Sequence, residues 1–173
     1  MNLQLIKPDK THKQVIVDML EEWIEFNKQN DVNNSPYAIF KNSYEDFDYY
    51  LDHLDNKDDS NGMVADSTFF LYDEINNKAL GAINIRHYLN DYLLNYGGHI
   101  GYGIRPSERQ KGYATKILQL GLIKCKELNL DKILLVCDKN NIGSVKTIKN
   151  NHGILENEIV QDNKVIQRYW ITL

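Results

Sequence analysis

One short segment of this chain has the residue types and spacing of an anion-binding site. It consists of Arg109, Gln110, Lys111, Gly112, Tyr113, Ala114 and Thr115. The segment lies between a predicted strand and a long predicted helix, whose first turn has unpaired backbone N–H groups and a partial positive charge. Gly112 has no Cβ and lets a ligand approach the backbone, while Arg109 and Lys111 add cations. We therefore predict a pyrophosphate site, with a plain helix start as the alternative.

The two cysteines, Cys125 and Cys137, indicate a packing role. Both lie in apolar runs, and the sequence contains no CxxC motif and no histidine pair at metal-binding spacing. Buried free cysteines usually behave as small hydrophobic residues. We therefore expect neither a disulfide framework nor a metal site.

Alternating strands and helices position the anion-binding segment. Strands are predicted over residues 3–6, 68–72, 79–88, 98–105, 132–137, 153–160 and 164–171. Helices are predicted over residues 11–26, 43–54, 111–128 and 141–151, and polar loops over 31–36 and 55–62. The candidate N-caps are Thr11, Ser43 and either Asn141 or Asn140. This order predicts one α/β (α+β) domain over residues 1–173, with a mixed central sheet and helices on both faces.

Composition and charge exclude several classes of protein. Hydrophobic residues make up 42% of the 173 residues, and no apolar run approaches the ~18 residues of a membrane span. The N-terminus lacks a signal-peptide core, so we expect a cytoplasmic protein with no membrane partner. Residues 1–97 have a net charge of −9 and residues 98–173 a net charge of +5, which suits anion binding by the second part.

The stretch from Ile104 to Leu118, IRPSERQKGYATKIL, resembles the acetyl-coenzyme A signature of the GNAT acetyltransferase superfamily. The core of that signature is Arg/Gln-x-x-Gly-x-Gly/Ala, here residues 109–114. A second match, Asn141-Ile-Gly-Ser144, follows at the family's distance. The stretch GGHIGYGIRPSERQKGYA and the terminal RYWI are more closely similar to a bacterial branch of the superfamily. The resemblance implies the GNAT fold, with a mostly antiparallel central sheet.

The resemblance also implies how coenzyme would bind. GNAT enzymes splay the fourth and fifth strands, and pantetheine pairs with the fourth strand as if it were a further strand. That edge corresponds here to Tyr102, Gly103 and Ile104, and Gly101 and Gly103 would permit close approach. Backbone N–H groups of residues 110–115 would hold the pyrophosphate, while Asn141 and Ser144 would contact pantetheine. The expected cosubstrate is acetyl-CoA, with no metal.

Catalytic residues follow from what amine acetylation requires. The amine must lose a proton, the thioester oxygen must be stabilised and the thiolate must leave. GNAT enzymes achieve this by direct attack in a ternary complex, and His99 occupies the family's position for a base, with a structural histidine as the alternative. The family's general acid is a tyrosine, and its position is Ile148 here. Tyr102 is therefore the candidate acid, with Tyr113 or water as alternatives.

The acceptor site is expected between the first two helices and the later strands. Trp23 and Phe26 lie among acidic residues there, a combination that suits a cationic amine. Arg86 and His87 end the third strand near the same region. His87 is a second candidate base, and Arg86 suits a substrate carboxylate instead, so two interpretations of the acceptor stay open.

Three functional hypotheses follow. The favoured one is an acetyl-CoA-dependent N-acetyltransferase acting on a small-molecule or peptide amine. The alternatives are a non-catalytic acyl-CoA-binding regulatory domain and a nucleic-acid-binding module. No basic stripe interleaved with aromatic residues is present and the isoelectric point is about 5.7, so we expect no nucleic-acid partner. A homodimer is plausible for the family.

Overall fold

The strands and helices follow the predicted order. The chain was analysed as a computed structural model, which describes residues 2–30, 34–59 and 62–173. It forms β1 (Leu3–Ile6), α1 (Lys13–Gln29), α2 (Phe47–Asp52), β2 (Asp66–Asp73), β3 (Lys78–Arg86), β4 (Ile100–Ile104), α3 (Tyr113–Glu127), β5 (Lys132–Asp138), α4 (Ile142–Asn150), β6 (Ile154–Gln161) and β7 (Lys164–Thr172). Parts of the two predicted polar loops, residues 31–33 and 60–61, lie outside the described residues.

The strands form two antiparallel sheets that meet at one point. The first sheet has the order β1-β2-β3-β4 and the second the order β5-β7-β6. The backbone N–H of His99 donates to the carbonyl of Leu134 at 2.8 Å and joins the sheets just before β4. Beyond that bond β4 and β5 have no ladder between them, as the resemblance implied. The predicted combination of helices with a mostly antiparallel sheet is confirmed.

Two apolar cores cover the two faces of the first sheet. On one face, α3 packs on β3 and β4, and its Ile117 and Leu118 are fully buried with Ile83. On the other face, α1 packs on β3 and contributes Met19 and Trp23. Burying each such large side chain contributes about 1.5–3 kcal/mol. The helices thus lie on opposite faces, with the diverging strands between them.

At two helix starts, the observed N-cap is not the predicted one. Asp9, not Thr11, caps the first helical segment, because its carboxylate accepts the Thr11 N–H at 2.8 Å and opens a 3₁₀ turn before α1. Asp46, not Ser43, caps α2, accepting the N–H of Tyr49 at 3.1 Å. An aspartate is at least as good an N-cap as serine or threonine. In both places an aspartate close to the predicted residue makes the capping hydrogen bond instead. No helix among the described residues is long and apolar enough to cross a membrane.

Candidate active site

A cleft of about 680 Å³ opens where β4 and β5 diverge. Its lining is drawn from α1, the 34–36 segment, β4, the end of β5 and the start of α4. It comprises Trp23, Ser35, Ile100, Gly101, Tyr102, Gly103, Ile104, Arg109, Val136, Cys137, Asp138, Asn140, Asn141, Ser144 and Lys164. Seven of these were predicted site residues, so the structure brings the core of the predicted site together.

The start of α3 leaves its backbone N–H groups available. Gly112 is the N-cap with φ 83°, no side chain caps the helix, and a Cβ at Gly112 would meet no atom within 4 Å. Gln110 is exposed and also has a positive φ, 62°. The side chain of Tyr113 is buried in the core, so this residue offers a ligand only its backbone. The helix therefore begins at Tyr113, two residues later than predicted, and Ala114 and Thr115 complete an open first turn.

The side chains of Lys111 and Arg109, the two cations predicted beside the pyrophosphate, both contact other residues of the protein. Lys111 donates to Glu108 at 2.9 Å, and Lys78 binds the same buried carboxylate, lowering the pKa of Glu108. Arg109 extends towards α1, where its guanidinium carbon lies 4.6 Å from the centre of the Phe26 ring. The structure thus assigns Lys111 to an ion pair and Arg109 to the α1 side of the cleft.

The glycines of β4 are closely approached by other parts of the protein. A Cβ at Gly103 would overlap the carbonyl oxygen of Ser35 and lie 2.7 Å from Cζ2 of Trp23. A Cβ at Gly101 would lie 3.3 Å from the hydroxyl oxygen of Ser35. The predicted close approach is real, but the approaching groups are the 34–36 segment and α1. The backbone of β4 still lines the cleft beside Tyr102 and Ile104.

On the wall of the cleft opposite α1, residues of α4 and β4 are joined by hydrogen bonds. Asn141 caps α4 by accepting the N–H of Ser144 at 3.0 Å. The hydroxyl of Ser144 lies 3.0 Å from that of Tyr102, which joins β4 to α4 across the cleft. Cys137 lines the cleft next to this group, and burial raises the pKa of its thiol. Asn141 is therefore both the helix cap and a cleft residue.

Tyr102 keeps its proton over a wide pH range. Burial raises the pKa of Tyr102 to about 12, although the hydrogen bond from Ser144 acts in the opposite direction. A phenol in this state donates hydrogen bonds and does not act as a base near neutral pH. The family's tyrosine position, Ile148, is fully buried, so Tyr102 is the tyrosine that reaches this wall of the cleft.

His99 has a structural environment that argues against the predicted general base. Its Nδ1 accepts the N–H of Leu134 at 2.9 Å, so the lone pair that a base needs is occupied and the proton lies on Nε2. The ring is buried, lies edge-on to Trp170 and does not line the cleft. Burial and then Arg86 lower the pKa of His99 to about 4. The alternative reading, a hydrogen-bonded structural histidine, fits the geometry.

A pH-dependent stability follows from this environment. Because the folded pKa lies below the unfolded value of 6.5, neutral His99 stabilises the fold above pH 6.5. That contribution, on the order of 3 kcal/mol, is lost as the pH falls from 6.5 towards 4. We expect His99→Ala to lower Tm at pH 7 and to flatten this acid-side loss, while exposed His53→Ala does neither. Thermal melts from pH 4 to 8 measure both. An unchanged Tm together with the loss of the acid limb in kcat/KM, where protonation would inactivate a general base, would restore the catalytic role.

The predicted acceptor residues divide into two groups. Trp23 lines the cleft, and Phe26 reaches it through its contact with Arg109. Arg86 is instead largely buried and donates to the carbonyls of Gly97 and Gly98, both at 3.2 Å. Neither Arg86 nor His87 lines the cleft, and His87 Nε2 lies 2.9 Å from the hydroxyl of Ser67. Arg86 Nη2 nevertheless lies 3.6 Å from the position that a Cβ at Gly101 would occupy, so Arg86 is next to the cleft without lining it, whereas the structure does not place His87 with the others.

Several cleft residues were missed in the sequence. Ser35 belongs to a segment 66 positions before Gly101 along the chain, and no local signal connects the two. Asp138 and Asn140 follow the end of a predicted strand and Lys164 begins another, and strand ends are where side chains converge on a site, so that signal was available. Across residues 2–30, 34–59 and 62–173 there is no group of three or more His, Cys, Asp or Glu residues that could hold a metal ion.

Comparison with known proteins defines the class of this fold and site. Residues 11–153 match the acetyltransferase (GNAT) domain family, so the chain belongs to that family. It is accordingly an acyltransferase of the GNAT class. No curated protein sequence matches the chain.

Solved structures share the whole fold at low sequence identity. The chain is 16% identical to RimL, a ribosomal L7/L12 α-N-protein acetyltransferase in complex with coenzyme A, with a TM-score of 0.66 over 100% of this chain and 95% of that one. It is 20% identical to a GNAT-family acetyltransferase from Bacillus anthracis, with a TM-score of 0.64 over 99% and 95%. A dodecameric spermidine N-acetyltransferase from Vibrio cholerae is 18% identical, with a TM-score of 0.61 over 99% and 92%.

Proposed function

We propose that this chain transfers the acetyl group of acetyl-CoA to a primary amine of a small molecule or peptide. One observation carries the proposal: the uncapped start of α3 is joined by the short segment 105–112 to β4, the strand that forms one wall of the cleft. A diphosphate at the N–H groups of residues 113–115 would leave the pantetheine arm to enter between β4 and β5. The whole of residues 1–173 acts as one domain in this proposal, and its expected site of action is the cytoplasm.

The chemistry is direct attack of the amine on the thioester in a ternary complex. The amine nitrogen forms the new C–N bond, the C–S bond breaks, and the coenzyme leaves as thiolate. Tyr102 donates a hydrogen bond to the departing sulfur, since its pKa of about 12 keeps the phenol protonated. The raised pKa of Cys137 argues against an acyl-enzyme on that thiol. The amine therefore enters as the free base or loses its proton to water.

Two of the similar proteins have names that give an acceptor nitrogen. RimL acts on the N-terminus of a ribosomal protein, and the spermidine enzyme acts on a polyamine. Neither likeness decides the acceptor of this chain. The same comparison supports a homo-oligomeric state, which light scattering at several concentrations measures.

Thiol release from acetyl-CoA tests the proposal. The panel contains polyamines, amino acids, aminoglycosides and peptides with free N-termini, and coenzyme binding is measured beside it by calorimetry. We expect micromolar coenzyme binding and thiol release above the hydrolytic background with at least one amine. Binding without release by any amine would favour the regulatory acyl-CoA-binding domain. No binding of CoA or acetyl-CoA would reject both.

A further inference from the structure

The arginine that begins the family signature is held on the α1 side of the cleft. Arg109 Nε donates to the carbonyl of Ile104 at 3.1 Å. Its guanidinium carbon lies 4.6 Å from the centre of the Phe26 ring and 5.9 Å from that of Trp23. A hydrogen bond and two aromatic contacts thus fix the side chain before any ligand arrives. A group held in this way loses little side-chain entropy when it binds a partner.

The binding edge of this guanidinium is free. Among the described residues, neither terminal nitrogen of Arg109 has a hydrogen-bond partner, and the residue lines the cleft. The carboxylate of Glu22 is nearby on α1 but is bound by Arg105 and by the N–H of Ser107 at 2.7 Å. Arg109 therefore presents a planar pair of donors to the cleft without a hydrogen-bond partner in the described ranges, although the charge of Glu22 acts on it from α1. That geometry matches the two oxygens of a carboxylate.

As far as the chain is described, the cleft lining on this wall contains a hydroxyl besides Arg109 and no carboxylate. Ser35 brings its hydroxyl to the cleft close to Gly101, and the buried indole N–H of Trp23 has no partner in the described part of the chain. The one carboxylate in the cleft lining, Asp138, lies on the opposite wall at the end of β5. A polyamine bound along the α1 side would be disfavoured, because it would face the cation of Arg109 while the nearby carboxylate of Glu22 is already bound by Arg105 and Ser107.

We propose that Arg109 binds a carboxylate of the acceptor, so that the substrate is an amino-acid-like amine bearing a nearby carboxylate. This inference rests on the proposed acetyl transfer and narrows its acceptor class. It moves to Arg109 the role that the sequence suggested for Arg86. Arg109 acts here as a specificity-determining residue, which holds the carboxylate while the amine reaches the thioester.

Matched acceptors that differ by one charge test the assignment. Thiol release is measured with α-amino acids and with the corresponding carboxamides, together with spermidine. We expect the wild type to prefer the acid by at least tenfold in kcat/KM, Arg109→Gln to reduce that preference to about one, and Arg109→Lys to retain part of it. Lys164→Gln removes a cation from the same cleft on β7 and should leave the preference intact. A wild type that prefers the amide or spermidine overturns the proposal.

A binding measurement gives an answer that does not depend on turnover. In a Trp170→Phe background, Trp23 is the sole tryptophan and reports on ligands near Arg109. With CoA present, N-acetyl amino acids should change its fluorescence saturably and their amides at least tenfold more weakly, with no difference in Arg109→Gln. Equal binding of acid and amide overturns the proposal. Thiol release without acid preference would discard the carboxylate site and leave the proposed acetyl transfer standing.

Coenzyme affinity separates the two anions that Arg109 could bind. If the guanidinium holds the acceptor, Arg109→Gln should change the Kd of CoA by less than about twofold. A tenfold weaker Kd with an unchanged acid preference would assign Arg109 to the coenzyme phosphates, as the sequence first suggested, and would overturn the acceptor assignment.

Discussion

Gly112→Val is expected to abolish measurable binding of coenzyme A, raising Kd by at least a hundredfold. Two effects act at this position. Gly112 has φ 83°, where a β-branched residue is strained by about 1–3 kcal/mol, so the open turn before α3 would be distorted. In addition, the valine methyl groups would enter the open space beside Gly112, next to the uncapped first turn where we propose that the diphosphate binds.

The matched control for this substitution is Gly62→Val. Gly62 has φ 79°, a Cβ there would also meet no atom within 4 Å, and it does not line the cleft. Both variants should therefore lose a similar amount of stability from backbone strain, and Gly112→Val alone should lose the ligand. Calorimetric titration with CoA and the shift in Tm on adding CoA measure the difference. Retained micromolar binding in a folded Gly112→Val variant would remove the α3 amides from the coenzyme site.

Local patterns in the sequence predicted the elements that hold the coenzyme segment. Apolar residues repeating every three or four positions located α3, and the polar pair Asp162-Asn163 located the β6–β7 turn, where both residues have positive φ. These features depend on neighbours a few residues apart. The strand-to-helix position of Gly112, and with it the expected anion site, follows from the same short-range information.

The side-chain directions in the cleft depend on distant partners and were not predictable in this way. The lone pair of His99 is occupied by Leu134, which lies 35 residues further along the chain. Gly103 lies against Ser35 and Trp23, so its lack of a side chain leaves room for a loop and a helix that the strand pattern does not identify. Arg109 was assigned to phosphate by its place in a motif, and the structure places its guanidinium against the rings of α1. Which neighbours a side chain contacts depends on tertiary packing, and a local sequence pattern does not contain that information.

The other large effect is expected for Tyr102→Phe, which should lower kcat ten- to a hundredfold with little change in the Kd of CoA. The phenol is the cleft tyrosine placed beside α4, its pKa is about 12, and it therefore donates throughout the usable pH range. A hydrogen bond from this group to the departing sulfur gains strength as negative charge develops, so its loss affects the transition state more than the bound ground state. Because the pKa of Tyr102 is about 12, kcat should show no alkaline limb from this residue below about pH 11.

Two further variants separate this role from simple packing. Tyr169→Phe removes another buried tyrosine hydroxyl, one that donates to Gln167 at 2.6 Å outside the cleft, and should lower Tm without lowering kcat. Ser144→Ala breaks the 3.0 Å contact with Tyr102 while keeping the phenol, and should reduce kcat by only a few-fold. Steady-state kinetics with the best acceptor, alongside thermal melts of each variant, provide the comparison. If Tyr102→Phe and Tyr169→Phe behave alike, the leaving thiolate needs no protein donor, because a thiol with an ordinary pKa of about 8.5 leaves readily into water.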